Sequence, residues 1–194
     1  MLLLYAIAIG LLIGRLAGGR VGNLERVQIT WWGLALGGLM VQLVLFTPFV
    51  AERIGAAGSP IYVISTLVVL AALCRNLTQP GFPLIAVGAV ANLVAILTNG
   101  GAMPSDPVAW MALTGKPELP VTGFSNSVLM GPGTNFAFLG DIFVFPRPLP
   151  FANVFSIGDV LIGVGAGWFI IRAMRQPSGE VIAGTSAPRA IASR

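Results

Sequence analysis

Residues 140–168 read GDIFVFPRPLPFANVFSIGDVLIGVGAGW, and the fold turns on how this stretch is read. One acid, Asp141, opens it; Pro146, Pro148 and Pro150 follow; a second acid, Asp159, stands inside the apolar run 151–171. That run has the length of a membrane span, and on a helix Asp159 lies on the order of 10 Å below its outer edge. A carboxylate at the bilayer centre costs roughly 2.5–3.5 kcal/mol on insertion scales, so an intramembrane Asp marks a functional position. Protonation, a buried partner or a water-filled cleft makes such a placement tolerable. Asp141 is the natural partner, held at the interface while the proline turn returns the chain to the membrane. Two carboxyl groups that share one proton have split pKa values, so that one can activate water while the other protonates a carbonyl.

The rest of the chain has the same apolar character. Of its 194 residues, 56% are hydrophobic and 9% charged, where soluble domains carry roughly 25% charged residues. This composition identifies an integral membrane protein. A net charge of +4 in so apolar a chain is a topology signal, and no basic stripe with interleaved aromatics occurs, so nucleic acid is excluded as a partner. There is no histidine and a single cysteine, Cys74. The chain therefore lacks the commonest metal ligand and general base, and it can form no intrachain disulfide. No metal and no cofactor are expected, and any catalysis falls to carboxylates, hydroxyls, amides, Lys116 or arginines.

Hydropathy makes residues 1–175 a single all-α domain, a polytopic membrane helix bundle with about five transmembrane helices at 2–19, 29–50, 61–74, 82–97 and 154–171. The first run has no basic region before it and has Arg15 and Arg20 after it, so it reads as a retained span rather than a signal peptide. Gly10, Gly14 and Gly18 form one smooth face, Gly33 and Gly37 a second, Gly163 and Gly167 a third, each suited to close helix approach. Residues 51–60 read as an exposed turn. Asn92 is the strongly polar side chain of the fourth span, and an amide at that depth bonds to a neighbouring helix. Residues 176–194, rich in Ser, Ala, Gly and Pro, read as a disordered cytoplasmic tail.

Arg15, Arg20, Arg26, Arg75, Arg172 and Arg175 fall on one side of this arrangement, which the positive-inside rule makes cytoplasmic. The N-terminus is then extracytoplasmic, and residues 98–152 form a long outward-facing cap between the fourth and fifth helices. Within the cap, 125–130 is expected to begin a short helix and 135–145 to lie at the interface or partly re-enter the membrane. The stretch 99–107, NGGAMPSDP, makes a sharp turn at the outer end of the fourth span. A glycine helix cap is one reading of it, and a backbone nest for an anion or a substrate carbonyl is the other. Asn92, Asn99, Gly100, Gly101 and Asn135 are the candidate binding residues, and Asp141 with Asp159 the candidate catalytic pair.

Two resemblances bear on these residues. The stretch 140–163 resembles the C-terminal part of lipoprotein signal peptidase, a membrane aspartyl protease whose second catalytic Asp stands at the outward start of its last span. By that resemblance Asp141 and Asp159 would be the dyad, with Ser156 and Gly158 in place of the family's Asn and Ala. The five-span order, NGGAMP at 99–104 and FSIGD at 155–159 resemble an uncharacterised bacterial membrane family known only as a domain of unknown function. That second resemblance implies a bacterial cell (inner) membrane location and supplies no reaction. The reading that follows is a binding or scaffold protein, or accessory membrane subunit, with an outward-facing polar site around residues 99–104, Asp141 and Asp159. The alternative is a membrane aspartyl peptidase-like hydrolase. Expected partners are the lipid bilayer and other membrane subunits or a lipid-linked or peptide substrate. A solute or proton carrier has least support, because there is one midplane-ward acid and no inverted repeat.

Overall fold

The computed structural model describes residues 2–117 and 125–176. Its helices are α1 (Leu2–Leu16), α2 (Trp32–Leu45), α3 (Pro48–Ile54), α4 (Gly58–Cys74), α5 (Phe82–Thr98), α6 (Pro107–Thr114) and α7 (Ile157–Met174). Its strands are β1 (Met103–Ser105), β2 (Ser127–Leu129), β3 (Asp141–Phe145) and β4 (Asn153–Ser156). Two segments are long and apolar enough to cross a bilayer: Pro48–Cys74, of 27 residues, and Ile157–Met174, of 18. Helices α1, α2 and α5 are apolar but shorter.

These apolar helices pack in a row, α2 on α4, α4 on α5, α5 on α7 and α7 on α1. Sequence neighbours α1 and α2 thus stand at opposite ends of it. The chain between them runs along the far end of the row and is tied down by buried amides. Arg20 N and Asn23 Nδ2 donate to Met174 O at 2.9 and 2.8 Å, while Asn76 donates to Thr30 O at 2.7 Å and accepts from Thr30 N at 2.8 Å. The exposed Arg15, Arg20, Arg26, Arg75, Arg172 and Arg175 gather at this end.

Helix α7 is central because small residues open two of its faces. Gly158 and Gly165 meet Gly88 and Gly81 of the antiparallel α5 so closely that a Cβ on Gly165 would lie 2.6 Å from Gly81 O. On its other face Gly167 meets Gly10, where a Cβ would lie 3.0 Å from Gly167 Cα, and Met174 covers Gly14. Dispersion between closely approaching backbones is the attraction available to helices in a lipid environment, and only glycine leaves room for it.

At the other end of the row lies a four-stranded sheet in the order β2-β1-β3-β4, parallel except for the antiparallel β3–β4 pair. The all-α expectation is thereby corrected. The β-branched and aromatic residues of DIFVF and NVFS pair across the proline turn, with Phe143 stacked on Phe155 at 5.4 Å. Helix α6 covers β3 and β4 through Ala109 and Leu113, which pack on Val154. It starts where Asp106 Oδ1 accepts from Val108 N at 2.7 Å, with Pro107 in the first turn.

Several expected boundaries move for local reasons. The second helix begins at Trp32 because Trp31 is left-handed (φ 59°), and it ends before Thr47, which is extended ahead of Pro48. Residues 51–60 are not an exposed turn. They complete α3, pass through a single 3₁₀ turn and enter α4, whose first turn accepts Pro60. Residues 127–129 are strand β2 instead of helix, and 135–145 hold a short 3₁₀ turn (Ala137–Leu139) and β3. Helix α1 stops at Leu16, and Gly18 is left-handed with nothing near it. Gly33 and Gly37 likewise face open space, and their neighbour Gly38 makes the contact with α4, at Ser65 and Val69. The expected tail, from residue 177 on, lies outside the described residues.

The glycine contacts give a direct test. Replacing Gly165 by Ala puts a methyl group against Gly81 O and should lower the stability of the detergent-solubilised protein by on the order of 1–3 kcal/mol, read from thermal unfolding. Gly33→Ala and Gly37→Ala, which meet nothing within 4 Å, should leave the midpoint unchanged or raise it slightly.

Candidate functional site

The site grows from the start of α7. Ser156 is its N-cap: Ser156 Oγ accepts from Asp159 N at 3.0 Å, and Asp159 Oδ2 accepts from Ser156 N at 3.1 Å. This reciprocal capping box satisfies two backbone donors that the helix end would otherwise leave bare. The second carboxylate oxygen, Oδ1, accepts from Asn92 Nδ2 at 3.0 Å, and Ser156 Oγ donates to Asn92 Oδ1 at 2.8 Å. Asn92, Ser156 and Asp159 therefore close a ring of hydrogen bonds, and both Asp159 oxygens are engaged. Glycine makes the ring possible, since a Cβ on Gly158 would lie 2.7 Å from both Asn92 Cγ and Gly88 O.

Asp159 thus stands near the start of its helix rather than two turns into it. Residues 153–156 belong to β4, so the helix begins at Ile157 and Asp159 stands in its first turn. The sheet takes up the residues that a continuous span would have used.

Asp141 begins β3 between two buried serines, pairing in register with Ser105 of β1 and Ser156 of β4. Its carbonyl accepts from Asp106 N at 3.0 Å. Burial pushes its carboxyl up to about 7, and the negative charge of Asp159 adds to the rise. The Ser105 hydroxyl lies close enough to pull the other way, yet it reaches hydrogen-bond geometry with nothing among the described residues. Tyr62 of α4, packed on Ala95, Ile96 and Met103, turns its hydroxyl toward Asn126 within the field of both acids. The two acids are therefore unequal. Asp159 is anchored by three groups, whereas Asp141 is a half-buried acid able to gain or lose a proton near neutrality.

The candidate binding residues divide. Asn92 belongs to the Asp159 ring. Asn99 and Asn135 meet each other instead: Asn99 Nδ2 donates to Asn135 O at 2.8 Å, Asn135 N to Asn99 Oδ1 at 2.9 Å, and Asn135 Nδ2 to Thr98 O at 2.9 Å. This clamp fastens the cap to the end of α5 and uses their polar groups within the protein. Gly100 and Gly101 are both left-handed (φ 73° and 85°), and Gly101 N donates back to Ile96 O at 2.9 Å. That six-to-one bond is a glycine helix cap, and it occupies an N–H that an anion nest would need. Gly101 also lies against Ser59, where a Cβ would come within 2.9 Å. No group of three or more His, Cys, Asp or Glu side chains gathers among the described residues.

The sequence reading passed over Ser105, Ser156, Tyr62 and Asn126. Ser156 had a signal, since S-I-G-D before an apolar run is the pattern of a capping box. Ser105, Tyr62 and Asn126 had none, because only strand pairing and helix packing bring them to the acids.

A family model described as a family of unknown function (DUF5317) matches residues 26–171, which run from shortly before α2 through most of α7. No curated protein and no solved structure matches the chain.

The raised Asp141 value fixes a sign for the pH dependence of stability. Its folded value of about 7 lies above the ordinary 3.8, so the fold favours the protonated form. Stability from this group is fully present below about pH 4 and is lost as pH rises through 7. Thermal unfolding followed from pH 4 to 8 should show that decline, on the order of 1–3 kcal/mol once solvent screening of a partly exposed group is allowed for. Asp141→Asn should flatten it and be the more stable protein at pH 8.

Proposed function

This chain belongs to the DUF5317 family, and we propose that it is a five-span protein of the bacterial cell membrane that binds a partner or ligand at an outward-facing polar site. In this reading α1, α2, α4, α5 and α7 all cross. Flanking residues extend the shorter helices, which at 1.5 Å per residue fall about 5–9 Å below the hydrocarbon thickness of roughly 30 Å. The six arginines at one end of the row support a cytoplasmic assignment for that end. The cap and the N-terminus then lie outside and residues beyond 176 inside. The site is the junction of cap and bundle around residues 99–104, Asp141 and Asp159.

The observation that favours binding over hydrolysis is the engagement of Asp159. A dyad needs one acid free to take a proton from water while the other gives one. Here both Asp159 oxygens already accept, one from Asn92 and one from the backbone of Ser156. Asp159 holds the site together, and Asp141 is left as the acid that meets a ligand. A ligand presenting an acceptor, such as an amide carbonyl, suits a protonated Asp141, and a cationic or donor group suits its carboxylate. The second reading, a membrane aspartyl peptidase-like hydrolase, has its own support in the rise of the Asp141 carboxyl, caused first by burial and then by the charge of Asp159.

Topology is checked first, with the native cysteine as reporter. Cys74 is exposed at the arginine end, so a membrane-impermeant maleimide should leave it unlabelled in intact cells and label it after permeabilisation. A cysteine placed at the exposed Gly133 in a Cys74→Ser background should behave in the opposite way.

The acids are then separated by function. A photo-crosslinking residue at the exposed cap position Phe138 should capture a discrete partner in cells. Asp141→Asn should change that capture, and Asp159→Asn should reduce it only in proportion to lost stability, about 1 kcal/mol for one weakened hydrogen bond. Cleavage of a lipid-linked or single-span peptide by the purified protein, lost in both Asp variants, would instead establish the hydrolase.

A further inference from the structure

Outside the α1–α7 contact lies a groove of about 520 Å³, lined by Ile9, Gly10 and Ile13 of α1 and by Val164, Trp168 and Ile171 of α7. The glycine approach of the two helices leaves a continuous apolar furrow along the bundle. Val164 is 56% and Trp168 49% exposed, so nothing among the described residues covers it.

The lower end of the groove is charged. Arg172 stands four residues after Trp168 and Arg175 four after Ile171, so both continue the stripe of α7 that lines the furrow. Arg20 comes to the same end, because its N–H donates to Met174 O at 2.9 Å. All three are exposed, and among the described residues the ion pair present is Arg53 with Glu52, at the opposite end. An apolar furrow that runs into three unpaired arginines has the chemistry of one occupant, an amphiphile with an acyl chain and an anionic head.

We propose that the α1–α7 groove is a binding site for an anionic phospholipid of the cytoplasmic leaflet, with an acyl chain in the furrow and the phosphate on Arg172, Arg175 and Arg20. The inference rests on the membrane orientation proposed above. A second copy of the chain is the weaker occupant, because in the same membrane it would bring the same arginines together without a counter-charge. Each arginine near an anionic headgroup adds affinity, and guanidinium binds phosphate in a forked geometry.

Native mass spectrometry of the full chain in detergent tests the site, with phosphatidylglycerol and phosphatidylcholine of identical acyl chains as probes. Phosphatidylglycerol adducts should survive delipidation, with phosphatidylcholine retained at least about tenfold less. Arg172→Gln with Arg175→Gln should lower phosphatidylglycerol retention by on the order of tenfold or more. Val164→Trp, which fills the furrow, should lower it with the arginines intact; Ile13→Trp takes its place if the first variant melts early. Equal retention of the two lipids, or retention unchanged in the arginine pair or in the groove-filling variant, overturns the proposal. Failure of the orientation itself is distinguishable, since it appears in the Cys74 labelling of intact cells and not in the detergent experiment.

Discussion

Backbone contact between α5 and α7 is the constraint from which the rest of the structure follows. Gly81 and Gly88 on one helix oppose Gly165 and Gly158 on the other, and the spacing of seven residues on each keeps both pairs on one face over two turns. Where Gly88 rests on Gly158, the next turn of α5 carries Asn92 to the N-terminus of α7. There its amide spans the cap residue Ser156 and the carboxylate of Asp159. The close packing and the polar ring are one event. A side chain at either glycine would separate the helices and open the ring together.

The sheet stands on that same crossing. Strand β1 follows the glycine cap of α5, and β4 leads without a loop into α7, so both are anchored to the central helix pair. Strand β3 closes the gap between them, which sets Asp141 in register with a serine on each side. Gly140 makes the approach possible, because a Cβ there would strike Pro104 O and the end of Met130. The cap is thus a rigid extension of the α5–α7 pair, while α2 and α1 attach at the two ends of the row.

The sequence disclosed the apolar segments and their order, since a run of aliphatic residues needs no partner to be recognised. It did not disclose the sheet. Strands of three to five residues give too short an alternation to detect, and Pro104 in a central strand argues against a strand at all. Parallel pairing of residues more than twenty apart leaves no local trace of register. Glycines proved legible as a class but not one by one: Gly10, Gly14, Gly163 and Gly167 pack, while Gly18, Gly33 and Gly37 do not, and the α5 glycines that matter most stand seven apart instead of four. In the site, the importance of Asp141, Asp159 and Asn92 was visible because each is a polar side chain in apolar surroundings. The meeting of Asn99 with Asn135 depends on the path of a 36-residue excursion, which composition does not specify.

The architecture treats the two acids unequally. A helix N-terminus with its cap and an amide offers several donors, and a side chain that accepts from them is held in one place. Asp159 occupies that position. Asp141, one strand in from the β4 edge of the sheet and beside a hydroxyl that does not bond to it, has burial and a like charge against ionisation. Burial, and then the charge of Asp159, raise the Asp141 carboxyl. The two acids thus differ in how they are held. At the start of α7 both carboxyl oxygens are taken up by the donors that hold Asp159, whereas at the strand position of Asp141 the backbone groups are already paired and the side chain is not drawn into the helix cap.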